Sequence, residues 1–129
     1  MSFEIVAQQY IYETLTQSPS VEAPVFNEVE DGQDYPFITI GEATHTDAST
    51  DAILLQNISV SVHVWSREKG TLETKRIQSQ IFNALNRTKS LTYDYVINAV
   101  DFDSSQTFLD SDNLTRHGVQ TFNILMQKR

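Results

Sequence analysis

The sequence predicts an α+β domain: a mainly antiparallel sheet of four to five strands with two helices packed on one face, in the order α-β-β-β-α-β-β. Three observations predict this class. Apolar residues recur at helical spacing in two segments, apolar and polar residues alternate in a third, and two strand-like segments flank a short turn near the end. A length of 129 residues suits one domain with a sizeable core, so we expect a single domain over residues 1–129.

The first helix is predicted over residues 3–18. Ser2 can cap its first turn. Pro19 ends it, because proline lacks an amide hydrogen and disfavours helical geometry in the residue before it. The apolar stripe that predicts this helix consists of Phe3, Val6, Ala7, Tyr10, Ile11 and Leu15.

Two extended segments follow, at residues 24–29 and 36–44. The turn-rich residues 30–34 separate them, which predicts a hairpin. Residues 46–51 are rich in side chains that compete for backbone hydrogen bonds, so we expect a mobile loop there.

Residues 53–66 show the clearest alternation in the chain and predict a half-buried strand. One face would carry Ile58, Val60, Val62 and Val64, and the other Ser59, Ser61, His63 and Trp65. An exposed tryptophan on a polar sheet face is a candidate contact residue. The alternative is that a loop or the first helix covers Trp65.

The second helix is predicted over residues 71–87, with Ile77, Ile81, Ala84 and Leu85 as its apolar stripe. Acidic residues lie near its start and the basic residues Arg87 and Lys89 near its end, as the helix dipole favours. Two strands, residues 96–109 and 115–128, then form a long hairpin around the turn at 110–113.

Charge is distributed unevenly along the chain. Residues 1–66 contain ten acidic residues and no lysine or arginine, whereas residues 67–129 contain nine basic and seven acidic residues. The two halves therefore carry −10 and +2, and the net charge is −8. This balance argues against tight nucleic-acid binding and is consistent either with solubility or with attraction between opposite faces of neighbouring subunits.

Several kinds of chemistry lack their usual residues. The chain has no cysteine, and we find neither a glycine-rich phosphate loop, nor a Gly-x-Ser-x-Gly elbow, nor a His-Glu-x-x-His motif. No apolar run is long enough for a membrane span, and no signal peptide is apparent. We therefore expect no enzyme activity, no cofactor and no membrane association.

Acidic and histidine residues leave one catalytic alternative open. His45, His63 and His117 fall on three separate segments without metal-ligand spacing, although a site that combines them with Asp47 or Asp112 is geometrically possible. We expect structural histidines and no bound metal.

Two carboxylate pairs could support acid–base chemistry, Asp101 with Asp103 and Asp110 with Asp112. For the second pair, backbone bonding in a solvated turn is the favoured interpretation. Arg116, at the start of the last strand, is expected to pair with the acids of this turn or with the acidic half of a neighbour.

Four strings, in this order and spacing, together resemble one known family. It is the family of tail-completion proteins of long-tailed phages and prophages, and the likeness extends over about residues 1–128. The acidic, base-free first half with its extended loop at 44–51 departs from the pattern. The strings are Tyr35-Pro36-Phe37-Ile38-Thr39-Ile40-Gly41, then His63-Val64-Trp65-Ser66-Arg67, then Gly70 with Glu73, Lys75 and Ile77, then Thr115-Arg116-His117-Gly118-Val119 with Phe122.

The resemblance implies a non-enzymatic virion protein. Such a protein would form a ring, which we expect to be a hexamer, at the head-proximal end of the tail, and would join the tail tube to the head connector. DNA would pass through without specific binding, and the chain would occur in the virion and, during assembly, in the host cytoplasm. The residues expected at subunit or partner interfaces are Trp65, Arg67, Lys69, Arg116 and His117.

Two other functions stay open at this point. A small-ligand binding module would need polar residues that converge in the core, and His63 and Asn98 are the candidates. A metal-dependent hydrolase would need the scattered histidines and aspartates to meet at a bound ion.

Overall fold

A computed structural model describes residues 2–92 and 94–129, and within them the chain forms two helices and six strands. The helices are α1 (Phe3–Gln17) and α2 (Leu72–Leu85). The strands are β1 (Val25–Phe26), β2 (Phe37–Asp47), β3 (Gln56–Ser66), β4 (Ser90–Leu91), β5 (Tyr95–Leu109) and β6 (Arg116–Lys128).

The prediction of four to five strands in the order α-β-β-β-α-β-β is wrong, because the sheet has six strands and three of them follow α2. The additional strand, β4, has only two residues, which is too short for any alternation to be visible. It forms because the chain leaving α2 runs back along β5, where the Val100 amide donates to the Thr88 carbonyl.

The strands form one mixed sheet in the order β1-β2-β3-β6-β5-β4. β1 pairs in parallel with β2, and the other neighbours are antiparallel. The predicted hairpin between residues 24–29 and 36–44 is therefore wrong. The two segments run in the same direction, so residues 27–36 form a return crossing and not a tight turn.

Both helices begin and end close to the predicted residues. Ser2 caps α1, since its hydroxyl accepts a hydrogen bond from the Ile5 amide (3.1 Å). α2 ends at Leu85, before the predicted limit, and Arg87 beyond it adopts a left-handed conformation with φ of 63°. Arg87 and Lys89, expected near the end of α2, thus both lie beyond the helix.

The core lies between the helices and one face of the sheet. Alternate residues of β3 point into it, and β6 supplies Phe122, Ile124 and Met126 beside them. From the helices come Val6, Ala7, Ile11, Leu15, Ile77, Ile81 and Leu85. This packing leaves the other face of the sheet without a helix.

The connection between β2 and β3 differs from the expected mobile loop. Thr46 and Asp47 belong to β2 and pair with β3, which begins at Gln56 and not at residue 53. The remaining turn is closed by hydrogen bonds from the Ala48 amide to the Leu55 carbonyl and from the Thr50 amide to the Ile53 carbonyl, each 2.9 Å.

Among the described helices, none is long and apolar enough to cross a membrane.

Candidate functional site

A row of four rings crosses the open face of the sheet. Phe37 of β2 lies opposite Trp65 of β3, Trp65 lies opposite His117 of β6, and His117 lies opposite Phe108 of β5. Because directly opposite residues in a sheet point to the same side, sequence alternation and strand register together place these rings side by side. We call Phe37, His63, Trp65, Phe108 and His117 the aromatic cluster.

Trp65 lies at the centre of this cluster. Its ring stacks on His117 with a centroid distance of 3.8 Å and an interplanar angle of 16°, and its Nε1 donates to Thr39 Oγ1 at 3.0 Å. The ring is half-buried, and these contacts come from neighbouring strands and not from α1. Phe108, at the end of the row, is 39% exposed.

Two histidines meet within the cluster. His63 Nδ1 and His117 Nε2 are 2.7 Å apart, and His63 Nε2 lies 3.2 Å from Glu42 Oε2. If His63 donates from Nε2 to the carboxylate, its Nδ1 is the acceptor and His117 Nε2 must donate. A side chain at Gly41 would contact the His63 ring, so glycine at that position allows this arrangement.

Burial and the neighbouring His63 lower the pKa of His117 below its usual 6.5. Hydrogen bonding to its own backbone amide, followed by the bond to His63, lowers the pKa of Glu42 despite some desolvation. The site therefore favours a neutral His117 and an ionised Glu42.

Of the three histidines expected on separate segments, His63 and His117 meet across two strands, whereas His45 bonds Gln56 and contacts Phe3. The meeting of His63 and His117 depends on the register between β3 and β6, which residue spacing does not reveal. In the described residues no group of three or more histidine, cysteine, aspartate or glutamate side chains is arranged to hold a metal ion.

Arg67 joins three loops at one end of the sheet. Its Cζ lies 4.5 Å from the centroid of the Tyr35 ring, and its Nε donates to Thr115 Oγ1 at 2.9 Å. Its Nη2 is 3.8 Å from Asp112 Oδ2. We call the surface formed by the loops at residues 30–36, 67–71 and 110–115 the loop end.

Asp112 organises the turn before β6. It accepts hydrogen bonds from the Thr115 hydroxyl (2.6 Å), the Thr115 amide and the Leu114 amide, which lower its pKa to about 2. Backbone bonding in this turn was predicted and is confirmed. The expected pairing of Arg116 with the acids of the turn is wrong within the chain, since Arg67 approaches Asp112 and Arg116 donates to the Leu114 carbonyl.

All five predicted interface residues lie at or beside the loop end. Trp65 and His117 are in the aromatic cluster, Arg67 and Lys69 follow β3, and Arg116 begins β6. The sequence reasoning missed a set of exposed apolar side chains at the same end. They are Tyr35, Leu72, Phe108, Leu109 and Leu114, with exposed fractions from 36% to 71%.

Comparisons with known proteins establish the class of protein. A family model described as tail completion protein gp17 matches residues 9–127. The chain therefore belongs to this family of phage tail structural proteins, and the resemblance suggested by the sequence is confirmed.

One relative and one solved structure show how the chain compares with individual members. It is 27% identical over 107 residues to the tail completion protein gp17 of Bacillus phage SPP1, covering 81% of this chain and 70% of that protein. Its fold is similar to a chain in a structure titled the virion of a native gene transfer agent particle, with a TM-score of 0.84, 15% identity and coverage of 99% and 100% of the two chains.

Proposed function

We propose that this chain is a non-enzymatic structural protein of the virion that forms a ring at the head-proximal end of the tail. There it joins the tail tube to the head connector. The observation that carries this proposal is the match to the tail completion family over nearly the whole chain. The resemblance of the fold to a chain from a virion particle agrees with it.

The loop end is the surface that contacts a neighbour. It combines exposed apolar side chains with the cations Arg67, Lys69 and Arg116. A mixture of apolar, aromatic and arginine side chains is typical of the residues that dominate binding at protein interfaces. Trp65 and His117 support this surface from the adjoining aromatic cluster.

The ring requires two different surfaces on each copy, because contacts between successive subunits in a cyclic ring are head-to-tail. Acidic residues of the first half then face Arg67, Lys69, Arg87 or Arg116 of the next copy, or line the central opening. An acidic opening would let DNA pass without specific binding. We expect six copies in the ring and assembly in the host cytoplasm.

The experiment that tests this function removes the chain from the particle. An early stop codon should give separate filled heads and separate tails, and the chain supplied from a second gene copy should restore joined particles. Electron microscopy counts the three products. Joined, infectious particles in the absence of the chain would contradict the proposal.

A further inference from the structure

We infer that neighbouring copies join by strand pairing, in which residues 43–47 of β2 in one copy lie antiparallel to residues 104–109 of β5 in the next. This inference rests on the proposed ring and names the contact that closes it. Both segments are sheet edges that no other strand of the described chain covers.

The first free edge is the second half of β2. β1 covers β2 only at Ile38 and Thr39, and a register shift between Ile40 and Ala43 marks a bulge at the point where the free segment begins. Residues 43–47 pair with β3 on one side, and all five are exposed. The backbone groups on the other side are therefore available to another strand.

The second free edge is the end of β5, at the opposite side of the sheet. β4 covers β5 only at Val96 and Ile97, and the chain after α2 extends that cover to Val100. A second register shift, between Phe102 and Ser104, again marks the beginning of the free segment. Each free edge thus starts at a bulge, a feature that bends a strand and redirects its edge.

Neither segment carries the residues that usually protect an exposed edge. Proteins guard such edges with lysine, proline or inward-pointing charges. Residues 104–109 are Ser-Ser-Gln-Thr-Phe-Leu, without a charge, and residues 43–47 are Ala-Thr-His-Thr-Asp, with one carboxylate at Asp47. Exposed edges with so little charge are suited to pairing with another strand.

A second copy of this chain fits both edges in direction. β2 and β5 are separated by β3 and β6, and each step between them is antiparallel, so β2 and β5 run in opposite directions. Copies related by rotation about an axis that is inclined to the strands, but not perpendicular to them, therefore bring β2 against β5 as antiparallel neighbours. Every copy offers one edge of each kind, which is the head-to-tail arrangement that a ring needs.

The two edges lie at different heights along the strands. His45, in the middle of the first segment, lies in the same row across the sheet as Val100 of β5. The row runs from His45 to Ile58, then to Ile124 and then to Val100. Gln106, in the middle of the second segment, lies about six residues beyond Val100 along β5. The two free segments are therefore offset along the strands by about 20 Å, at roughly 3.4 Å per residue. Since the four long strands span about 19 Å, the strands would tilt by about 45° in a closed ring, close to the tilt found in closed barrels.

A groove beside β5 would receive the added strand. It runs between α2 and β5 and is lined in part by Gln78, Ser105, Thr107 and Gln120. Gln120 Oε1 is buried and has no hydrogen-bond partner among the described residues, so the groove contains an unused acceptor. Gln78 Nε2 donates to the Gln106 carbonyl oxygen (3.2 Å). That oxygen has a second lone pair, which can accept a hydrogen bond from a neighbouring strand.

Cysteine cross-linking in assembled particles tests the inference, because the chain has no cysteine of its own. Thr44 and Gln106 point to the open face of the sheet, as does Thr46. Two registers of the added strand keep the open faces of both copies on the same side, one with Thr44 opposite Gln106 and one with Thr46 opposite Gln106. The double variants Thr44→Cys/Gln106→Cys and Thr46→Cys/Gln106→Cys test these two registers. After treatment of purified particles with a short bismaleimide, we expect a covalent ladder of this chain from at least one of them.

The control variant Thr44→Cys/Gln17→Cys replaces the β5 position by an exposed position at the end of α1 and should give no ladder. Joined particles without a ladder from either double variant would overturn the strand pairing and leave the proposed ring intact. A ladder of equal strength in the control would overturn it too. Cross-links from Gln106→Cys to a different virion protein would show that another partner occupies this edge, which also contradicts the inference.

Discussion

His63 Nδ1 and His117 Nε2 lie 2.7 Å apart on adjacent strands, so the space between the two rings holds one proton. Full protonation of both rings would point two N–H groups at each other. Asp110 and Glu42 partly offset the lowering of the His117 pKa, but burial and the neighbouring His63 have the larger effects.

The first prediction concerns pH. Because the folded pKa of His117 is below 6.5, the unfolded chain binds a proton at higher pH than the folded chain does. The contribution of neutral His117 to the free energy of unfolding should therefore be fully present above about pH 7. The free energy of unfolding should decrease as the pH falls below about 6.5. Urea unfolding across this range measures it. A His117→Gln variant should lose this slope, and an unchanged slope in that variant would contradict the assignment.

A separate loss of stability is expected at lower pH. The pKa values of Glu42 and Asp112 are lowered from 4.5 and 3.8, so their contribution is present above those values and is lost as the pH falls through the folded values. Asp112→Asn should weaken the dependence below pH 4 and leave the dependence between pH 5 and 7 unchanged. Urea unfolding in both pH ranges separates the contribution of Asp112 from that of His117.

Gly118 is predicted to be required by the contact between α2 and β6. A β-carbon there would lie 2.8 Å from Thr74 Cγ2 and close to Gln78 Nε2. Gly118→Ala should therefore lower the free energy of unfolding by about 1–3 kcal/mol. Adding Thr74→Ser, which removes the Cγ2 atom, should recover part of the loss. An unchanged free energy of unfolding for Gly118→Ala alone would contradict this prediction and show that α2 moves away from β6 at no cost.

Replacement by valine is predicted to have opposite effects on stability at two buried threonines. Thr74 Oγ1 is buried without a partner, whereas the Thr115 hydroxyl donates to Asp112 and accepts from Arg67. Thr74→Val should leave stability unchanged or raise it by up to about 1 kcal/mol, and Thr115→Val should lower it by about 1 kcal/mol or more. Thermal and urea unfolding compare the two variants. Equal effects would contradict the hydrogen-bond assignments.

Arg67→Glu tests the loop end as a contact surface. The side chain is 44% exposed, so the isolated chain should still fold, with a moderate loss of stability because the contacts to Tyr35, Thr115 and Asp112 are lost. The substitution should nevertheless reduce the number of joined particles strongly, because a cation above Tyr35 becomes an anion. Lys128→Glu makes the same charge change at an exposed position at the other end of β6 and serves as the control. Equal infectivity of the two variants would exclude Arg67 from the interface.

The sequence predicted the parts of the fold that depend on local patterns. The stripe of α1, the Ser2 cap and the alternation of β3 each show their periodicity within one segment. The two-residue strand β4 and the parallel pairing of β1 depend on where distant segments lie, so no local pattern contained them.

The candidate site was predicted in the same partial way. Trp65, Arg67 and His117 were among the residues expected at interfaces. Their contacts were not predicted, because His117 reaches Trp65 through strand register and Tyr35 reaches Arg67 from a distant loop. The side-chain contacts of the site arise from pairing between strands far apart in sequence.

The most direct test is an electron cryomicroscopy reconstruction of the region between head and tail, calculated without imposed symmetry. The account predicts a closed ring of copies of this chain, six in number, between the tail tube and the head connector. Copies found only along the tail, or joined particles whose neck contains no density for this fold, would contradict it.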